Sequence, residues 1–135
     1  MSDERIATFE EFWPFYVREH KKKATRRAHF IGTTAVMGVV AAALLGRPRW
    51  LLLAPFVGYG PAWYSHFFIE KNRPATFTYP LWSLAADFIM WKKTLLGEMD
   101  AEVDRAVAAA TEDSAPAPDA ASAPAAARAR DQSLN

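Results

Sequence analysis

The chain has 135 residues, is 51% hydrophobic with a formal net charge of +1, and contains no cysteine. That length and balance fit one small domain, and the missing thiols exclude disulfides, iron–sulfur clusters and thiolate zinc sites. The opening MSDERIATFEE is acidic and has no apolar core of the signal-peptide kind, so a cleaved secretion signal is not expected, and there is no Gly-rich phosphate loop or internal repeat.

The first predicted element is TFEEFWPFYVREHKKK, which opens with the capping-box spacing of Thr8 and Glu11 and continues into Phe12, Trp13, Phe15 and Tyr16. That pattern predicts a helix lying at the headgroup level of a membrane. Two runs without a formal charge follow, AHFIGTTAVMGVVAAALLG over 28–46 and WLLLAPFVGYGPAWYSHFFI over 50–69. Each is about as long as a helix needs to cross a bilayer at roughly 1.5 Å per residue. Only RPR lies between them, with Gly46 suited to the C′ position and Pro48 barring continuation, so two membrane helices in a tight antiparallel hairpin are expected. A soluble hairpin would need more apolar sequence elsewhere to cover helices that are apolar on every face. Pro55, Gly58, Gly60 and Pro61 interrupt the second run, which a membrane helix tolerates where neighbours or a cavity satisfy the freed carbonyls.

YPLWSLAADFIMWKKTLLG begins near Pro80 and ends at Gly97; its Asp87, Lys92 and Lys93 leave it open as a third span, a re-entrant helix or an interfacial one. EMDAEVDRAVAAA reads as a short acidic helix in water. From Thr111 the sequence is rich in Ala, Pro and Ser with Leu134 as its one large apolar residue, the composition of a disordered tail. The expected fold is all-α: an integral membrane helical domain over 1–110 and a tail over 111–135.

The chain's three histidines can be placed on that frame. Counted from Pro48, His29 lies nineteen residues back and His66 eighteen forward, so in a straight hairpin both sit roughly 27 to 29 Å from the turn. His20 precedes the first span on the same side, and Glu70 follows His66 by one helical turn, about 40° around the axis. Neutral imidazoles with a carboxylate suit a single iron(II) or zinc ion. Each residue also has a plainer reading: His20 at the surface, His29 and His66 bonding headgroups or backbone, Glu70 paired with Lys71 or Arg73. His20 and His29 are nine residues apart, roughly 900° of rotation, so a shared metal requires a break between them. Thr25, as N-cap of the first span, would supply it. The same end carries Lys21, Lys22, Lys23, Arg26, Arg27, Lys71 and Arg73. By the positive-inside rule this end faces the cytoplasm, in an inner or plasma membrane. The collar anchors to lipid phosphates, attracts the carboxylate of an amphiphile, or does both. Nucleic-acid binding is not expected, because bases would have to share the patch with the membrane surface.

FWPFYVREH, RRAHFIG and WYSHFFIEKNRPATFTYPLWSLAAD resemble the small membrane proteins related to the iron-dependent 2-hydroxy fatty acid dioxygenase of fatty acid α-oxidation, over about residues 12–91. The resemblance places that family's essential histidines on His20, His29 and His66, with Glu70, Arg73 and Pro74 inside the matching motif. Where the family commonly has Asn-Pro soon after its first histidine, this chain has Lys22 and Lys23. The implied reaction converts a 2-hydroxy acid and O₂ into the one-carbon-shorter acid, CO₂ and water. All four electrons come from the substrate, in keeping with the lack of flavin, haem-thiolate or dinucleotide signatures. By the same resemblance, His20, His29 and His66 hold Fe(II), and Glu70 is a fourth ligand or orients an imidazole. Arg73, with Arg26 or Arg27, neutralises the fatty acid carboxylate, and Tyr16 and Asp87 hydrogen-bond nearby. Two other readings stay open: a non-catalytic membrane protein that binds lipid or assembles a complex, and a zinc-dependent membrane hydrolase with Glu70 as general base.

Overall fold

Thr8 accepts the Glu11 N–H at 3.2 Å and starts α1, Phe9–Arg18. The computed structural model describes residues 5–114, and among these every regular element is helical. The remaining helices are α2 (Lys23–Leu44), α3 (Ala54–Tyr64), α4 (Pro80–Leu95) and α5 (Met99–Asp113). The aromatic cluster expected to meet headgroups is instead the centre of the core. Phe12, Tyr16 and Val17 are buried, and the Phe12 ring packs against Tyr79 and Trp82 at centroid distances of 5.3 and 5.5 Å. Removing a ring of that size from water contributes about 1.5–3 kcal/mol to holding α1 on the bundle.

α2 is the one helix among the described residues long and apolar enough to cross a membrane, and it ends at Gly46, whose φ of +95° is the left-handed stop that a glycine accepts. The second apolar run is helical without a gap over 48–70, but not as one α-helix of spanning length. It is divided into a 3₁₀ segment (Pro48–Leu53), α3, and a π-helical turn (Ser65–Glu70). The cause lies in its prolines: Pro48 and Pro55 favour first-turn positions, and Pro61 removes a donor within α3. α2 and α3 approach so closely that a Cβ on Gly32 would lie 2.9 Å from the Gly58 carbonyl oxygen. Gly32 faces Gly58 and His29 faces His66, the order of an antiparallel pair.

α4 starts with Pro80 in its first turn and stops before Gly97, at φ +75°. Its 16 residues fall short of the ~20 that span a bilayer, so a third span is not formed by this helix alone. It packs on α2, where Trp91 stacks on Phe30 and donates to Thr34 Oγ1 at 2.9 Å. α5 closes the far side of α1 with Met99, Val103 and Ala106. Glu102 ties it down, accepting from Trp13 Nε1 at 3.1 Å and pairing with Lys93 at 2.8 Å. α5 runs through residues 111–113, where the tail was expected to begin; the expected tail from 115 onward lies outside the described residues.

Candidate metal centre

Each histidine comes from a different piece of backbone. His20 sits in the turn between α1 and α2, His29 in the second turn of α2, and His66 in the π-helical turn after α3. The chain does break between His20 and His29, but two residues after His20, at Lys22, and not at Thr25. Lys22 has no side-chain cap of its own; instead the Glu70 carboxylate braces the residues just before the helix from across the bundle. It accepts from Lys21 N at 3.1 Å, Lys22 N at 3.2 Å and Thr25 Oγ1 at 2.7 Å. A carboxylate at that position also suits the positive end of the α2 dipole. Glu70 is therefore engaged at the helix start, outside the group of potential ligand atoms, which comprises His20, His29 and His66.

The π-helical turn ends on Lys71 at φ 62°, ψ 43°, a left-handed conformation that costs a non-glycine residue roughly 1–2 kcal/mol. That reversal folds Asn72 back over His66. The Asn72 N–H donates to the His66 carbonyl at 3.0 Å, and Asn72 Oδ1 lies 2.7 Å from His66 Nδ1. The Asn72 amide N–H group donates in turn to Glu19 O at 2.9 Å and Glu19 Oε2 at 2.7 Å, which fixes which way the amide points.

All three Nδ1 atoms face oxygens. His20 Nδ1 is 2.7 Å from the Tyr16 carbonyl, His29 Nδ1 is 2.8 Å from Asp87 Oδ1, and His66 Nδ1 meets Asn72 Oδ1. A carbonyl, a carboxylate and an amide oxygen only accept, so each imidazole carries a proton on Nδ1, and in the neutral form each presents a lone pair at Nε2. Those lone pairs point at one another. His20 Nε2 and His66 Nε2 each lie 3.2 Å from His29 Nε2, and the three ligand atoms all fall within 4.8 Å of one another. The rings are buried, with 0%, 6% and 1% of their surface exposed for His20, His29 and His66. Burial pushes the His20 imidazole well below the ordinary histidine value, and neighbouring His29 and His66 lower it further, so it stays neutral at pH 7.

Three buried acceptors with no donor among them would be costly in an apolar interior, and a shared cation resolves the conflict. The spacing fits. Two imidazoles bound to one ion at about 2.1 Å place their nitrogens roughly 3.0 to 3.4 Å apart. The cluster is thus able to hold a divalent metal ion through three imidazoles, each braced on its far side as metal-binding histidines usually are.

Tyr16 braces two of them. Its carbonyl takes His20 Nδ1, while its hydroxyl donates to Asp87 Oδ1, the atom that holds His29. Burial, then the charge of Asp87, pushes the Tyr16 phenol well above its ordinary value, so it keeps its proton. Of the arginines expected near a substrate carboxylate, Arg26 is buried and committed to the carbonyls of His20 and Lys21 and to Asp100. Arg27 is exposed, and Arg73 lies over the Phe77 ring at 5.6 Å. None of the three lines the cavity of about 250 Å³ that touches the centre at His29 and Asp87. That cavity runs between α2, α3 and α4 along Thr33, Val36, Gly58, Leu84 and Phe88 and is mostly apolar. Asn72 is the functional side chain that sequence reasoning missed. Its place inside EKNRPA, next to the matching histidine, was the available signal.

Residues 6–99 match the family described as 2-hydroxy-palmitic acid dioxygenase Mpo1-like, and the chain belongs to that family. No curated protein and no solved structure matches it.

Proposed function

We propose that this member of the Mpo1-like family is a membrane-associated dioxygenase that uses one iron(II) to shorten 2-hydroxy fatty acids by one carbon. The observation that carries the reading is the convergence of three Nε2 lone pairs, each fixed by an oxygen at the opposite ring nitrogen. Iron(II), when bound there, would supply a chelation point for the acid's hydroxyl and carboxylate and a site for O₂. The chain's own residues set the rest. Asp87, Asn72 and the Tyr16 carbonyl hold the rings in one tautomer and orientation. The apolar cavity beside His29 and Asp87 offers a dry place for the carbon chain. No arginine lines that cavity, so a cation held by the three imidazoles would supply the counter-charge for the substrate carboxylate.

Membrane association is supported by α2 and by large side chains left in the open, among them Leu44, Leu45, Leu52, Phe56 and Leu81, each more than 70% exposed. A surface of that kind on a small chain marks contact with lipid or a partner. The basic residues around Lys21 to Lys23, Arg27 and Lys71 then sit where headgroup phosphates are, with the histidine end on the cytoplasmic side. The engagement of Glu70 at the start of α2 favours this reading over a zinc hydrolase, which would need that carboxylate free as a base.

The test is anaerobic loading of the detergent-solubilised protein with Fe(II), followed by loss of a 2-hydroxy fatty acid under O₂. The account expects the one-carbon-shorter acid and CO₂ in equal amounts. A loaded protein that yields no shortened acid at any chain length removes the enzymatic reading and leaves a lipid-binding or assembly role.

A further inference from the structure

α3 and α4 each pack against α2 and scarcely touch one another. The gap between them is the cavity at His29, floored by Thr33 and Val36 of α2 and rimmed by Pro55, Leu84 and Phe88. Leu84 is 47% and Phe88 42% exposed, so the rim is apolar and open to the outside, not sealed by the bundle. Its ionisable head lies where His29 and Asp87 meet, with Thr33 and Tyr59 as the other polar residues of an otherwise apolar lining. We infer that this gap is a lateral slot through which the acyl chain of a bilayer-dissolved acid slides sideways to bring its head to the imidazole cluster.

Three features of the slot specify that occupant. A carboxylate–imidazole pair at one place and mostly apolar walls elsewhere match a single-chain amphiphile, head inward. The rim residues Leu84 and Phe88 are themselves exposed, and the helices that bear the rim, α3 and α4, also carry the exposed Phe56 and Leu81, part of the surface proposed above to contact lipid, so a molecule would pass from bilayer to slot without crossing water. From His29 to Val36 the floor is seven residues of α2, or roughly 10 Å of rise. A long-chain acyl group extends further than that, so its tail leaves through the rim while the first carbons lie along α2. The slot therefore grips the part of the chain nearest the head and leaves the distal part in lipid. Recognition by the slot should rise with chain length until the floor is covered and then level off.

The chain has no native cysteine, so a single introduced thiol reports its own position. Val36→Cys and Leu84→Cys mark the slot; Leu96→Cys, on exposed sequence just past α4, is the control. Each variant is treated with a small thiol reagent in detergent and in lipid nanodiscs, with a long-chain 2-hydroxy acid, a short-chain 2-hydroxy acid, or neither. The long-chain acid should slow modification of the Val36→Cys and Leu84→Cys thiols several-fold and leave Leu96→Cys unchanged, while the short acid protects Val36→Cys little. No protection of the two slot thiols by the long-chain acid, with or without metal, overturns the inference. So does protection in nanodiscs before any acid is added, which would show a bilayer lipid filling the slot. The inference rests on the proposed function but fails separately from it. Turnover without protection sinks the slot alone, and protection without metal binding or turnover sinks the reaction alone.

Discussion

Replacing Glu70 separates two roles that a carboxylate near three histidines could have. In this structure its oxygens take the Lys21 and Lys22 N–H groups and the Thr25 hydroxyl, and so fix the break that turns His20 toward His29. A hydrogen bond to a charged group contributes about 1.5–3 kcal/mol net, and loss of a helix cap alone costs about 0.5–2 kcal/mol. In a Glu70→Ala variant, Lys21 and Lys22 are exposed and their N–H groups turn to water, whereas the buried Thr25 hydroxyl is left without its partner. The combined loss is about 2–4 kcal/mol, equivalent to a fall in Tm of roughly 10 °C for a domain of this size. Glu70→Gln keeps one accepting oxygen and should lose about half of that. Thermal unfolding of the detergent-solubilised variants gives the stabilities, and metal analysis of the same samples gives occupancy. Glu70→Gln is expected to bind metal in the wild-type ratio. An unchanged Tm for Glu70→Ala, or a Glu70→Gln protein that folds normally but binds no metal, would refute the capping argument and restore Glu70 as a ligand.

Asn72→Leu removes the acceptor at His66 Nδ1 and should weaken metal binding about 10- to 100-fold in a chelator competition, with Asn72→Asp recovering part of the loss. Gly32→Ala forces a Cβ to within 2.9 Å of the Gly58 carbonyl oxygen and should cost about 1–3 kcal/mol in an unfolding experiment. Gly38→Ala on the same helix meets nothing within 4 Å and should be neutral or slightly stabilising, so equal effects from the two would contradict the packing described. The Glu102 carboxyl is held below the ordinary carboxylate range, chiefly by its hydrogen bond with Lys93. The unfolded carboxyl therefore takes up its proton first, and the stability that Glu102 lends to α5 is present above its unfolded pKa and lost as pH falls through the lower folded value. Limited proteolysis should begin to release α5 below about pH 4, and Glu102→Gln should make that release less dependent on acid, the remainder coming from Asp100, which pairs with Lys23 and Arg26.

The parts of the fold that depend on local chemistry were readable in advance. The Thr8 cap, the glycine stops at Gly46 and Gly97, and Pro80 in the first turn of α4 all follow from what those residues do to their own backbone. The depth count that put His29 and His66 level also works, since it needs only the rise per residue and the turn at Pro48, and the two rings meet. What could not be read depends on partners far away in sequence. Composition marks Phe12 and Tyr16 as amphipathic, but only Tyr79 and Trp82, more than sixty residues on, decide that they are core. Thr25 has the right type for an N-cap, but its hydroxyl donates to Glu70, which also takes the Lys21 and Lys22 N–H groups and so fixes the helix start earlier in the chain, from the other side of the bundle. The role of Asn72 was not read from its motif for a related reason. Its contact with His66 exists because Lys71 turns left-handed, and nothing about a lysine announces that. The prolines of the second apolar run were seen as interruptions, but the succession of 3₁₀, α and π forms that they accompany was not foreseen.

The most direct measurement is the metal content and X-ray absorption spectrum of the purified protein loaded anaerobically with Fe(II), beside the same spectra for His20→Ala, His29→Ala and His66→Ala. The account predicts one tightly held ion per chain with imidazole scattering, and loss of that ion in each of the three variants while they stay folded. Iron that binds below stoichiometry, or a His29→Ala protein that retains an unchanged spectrum, would contradict it.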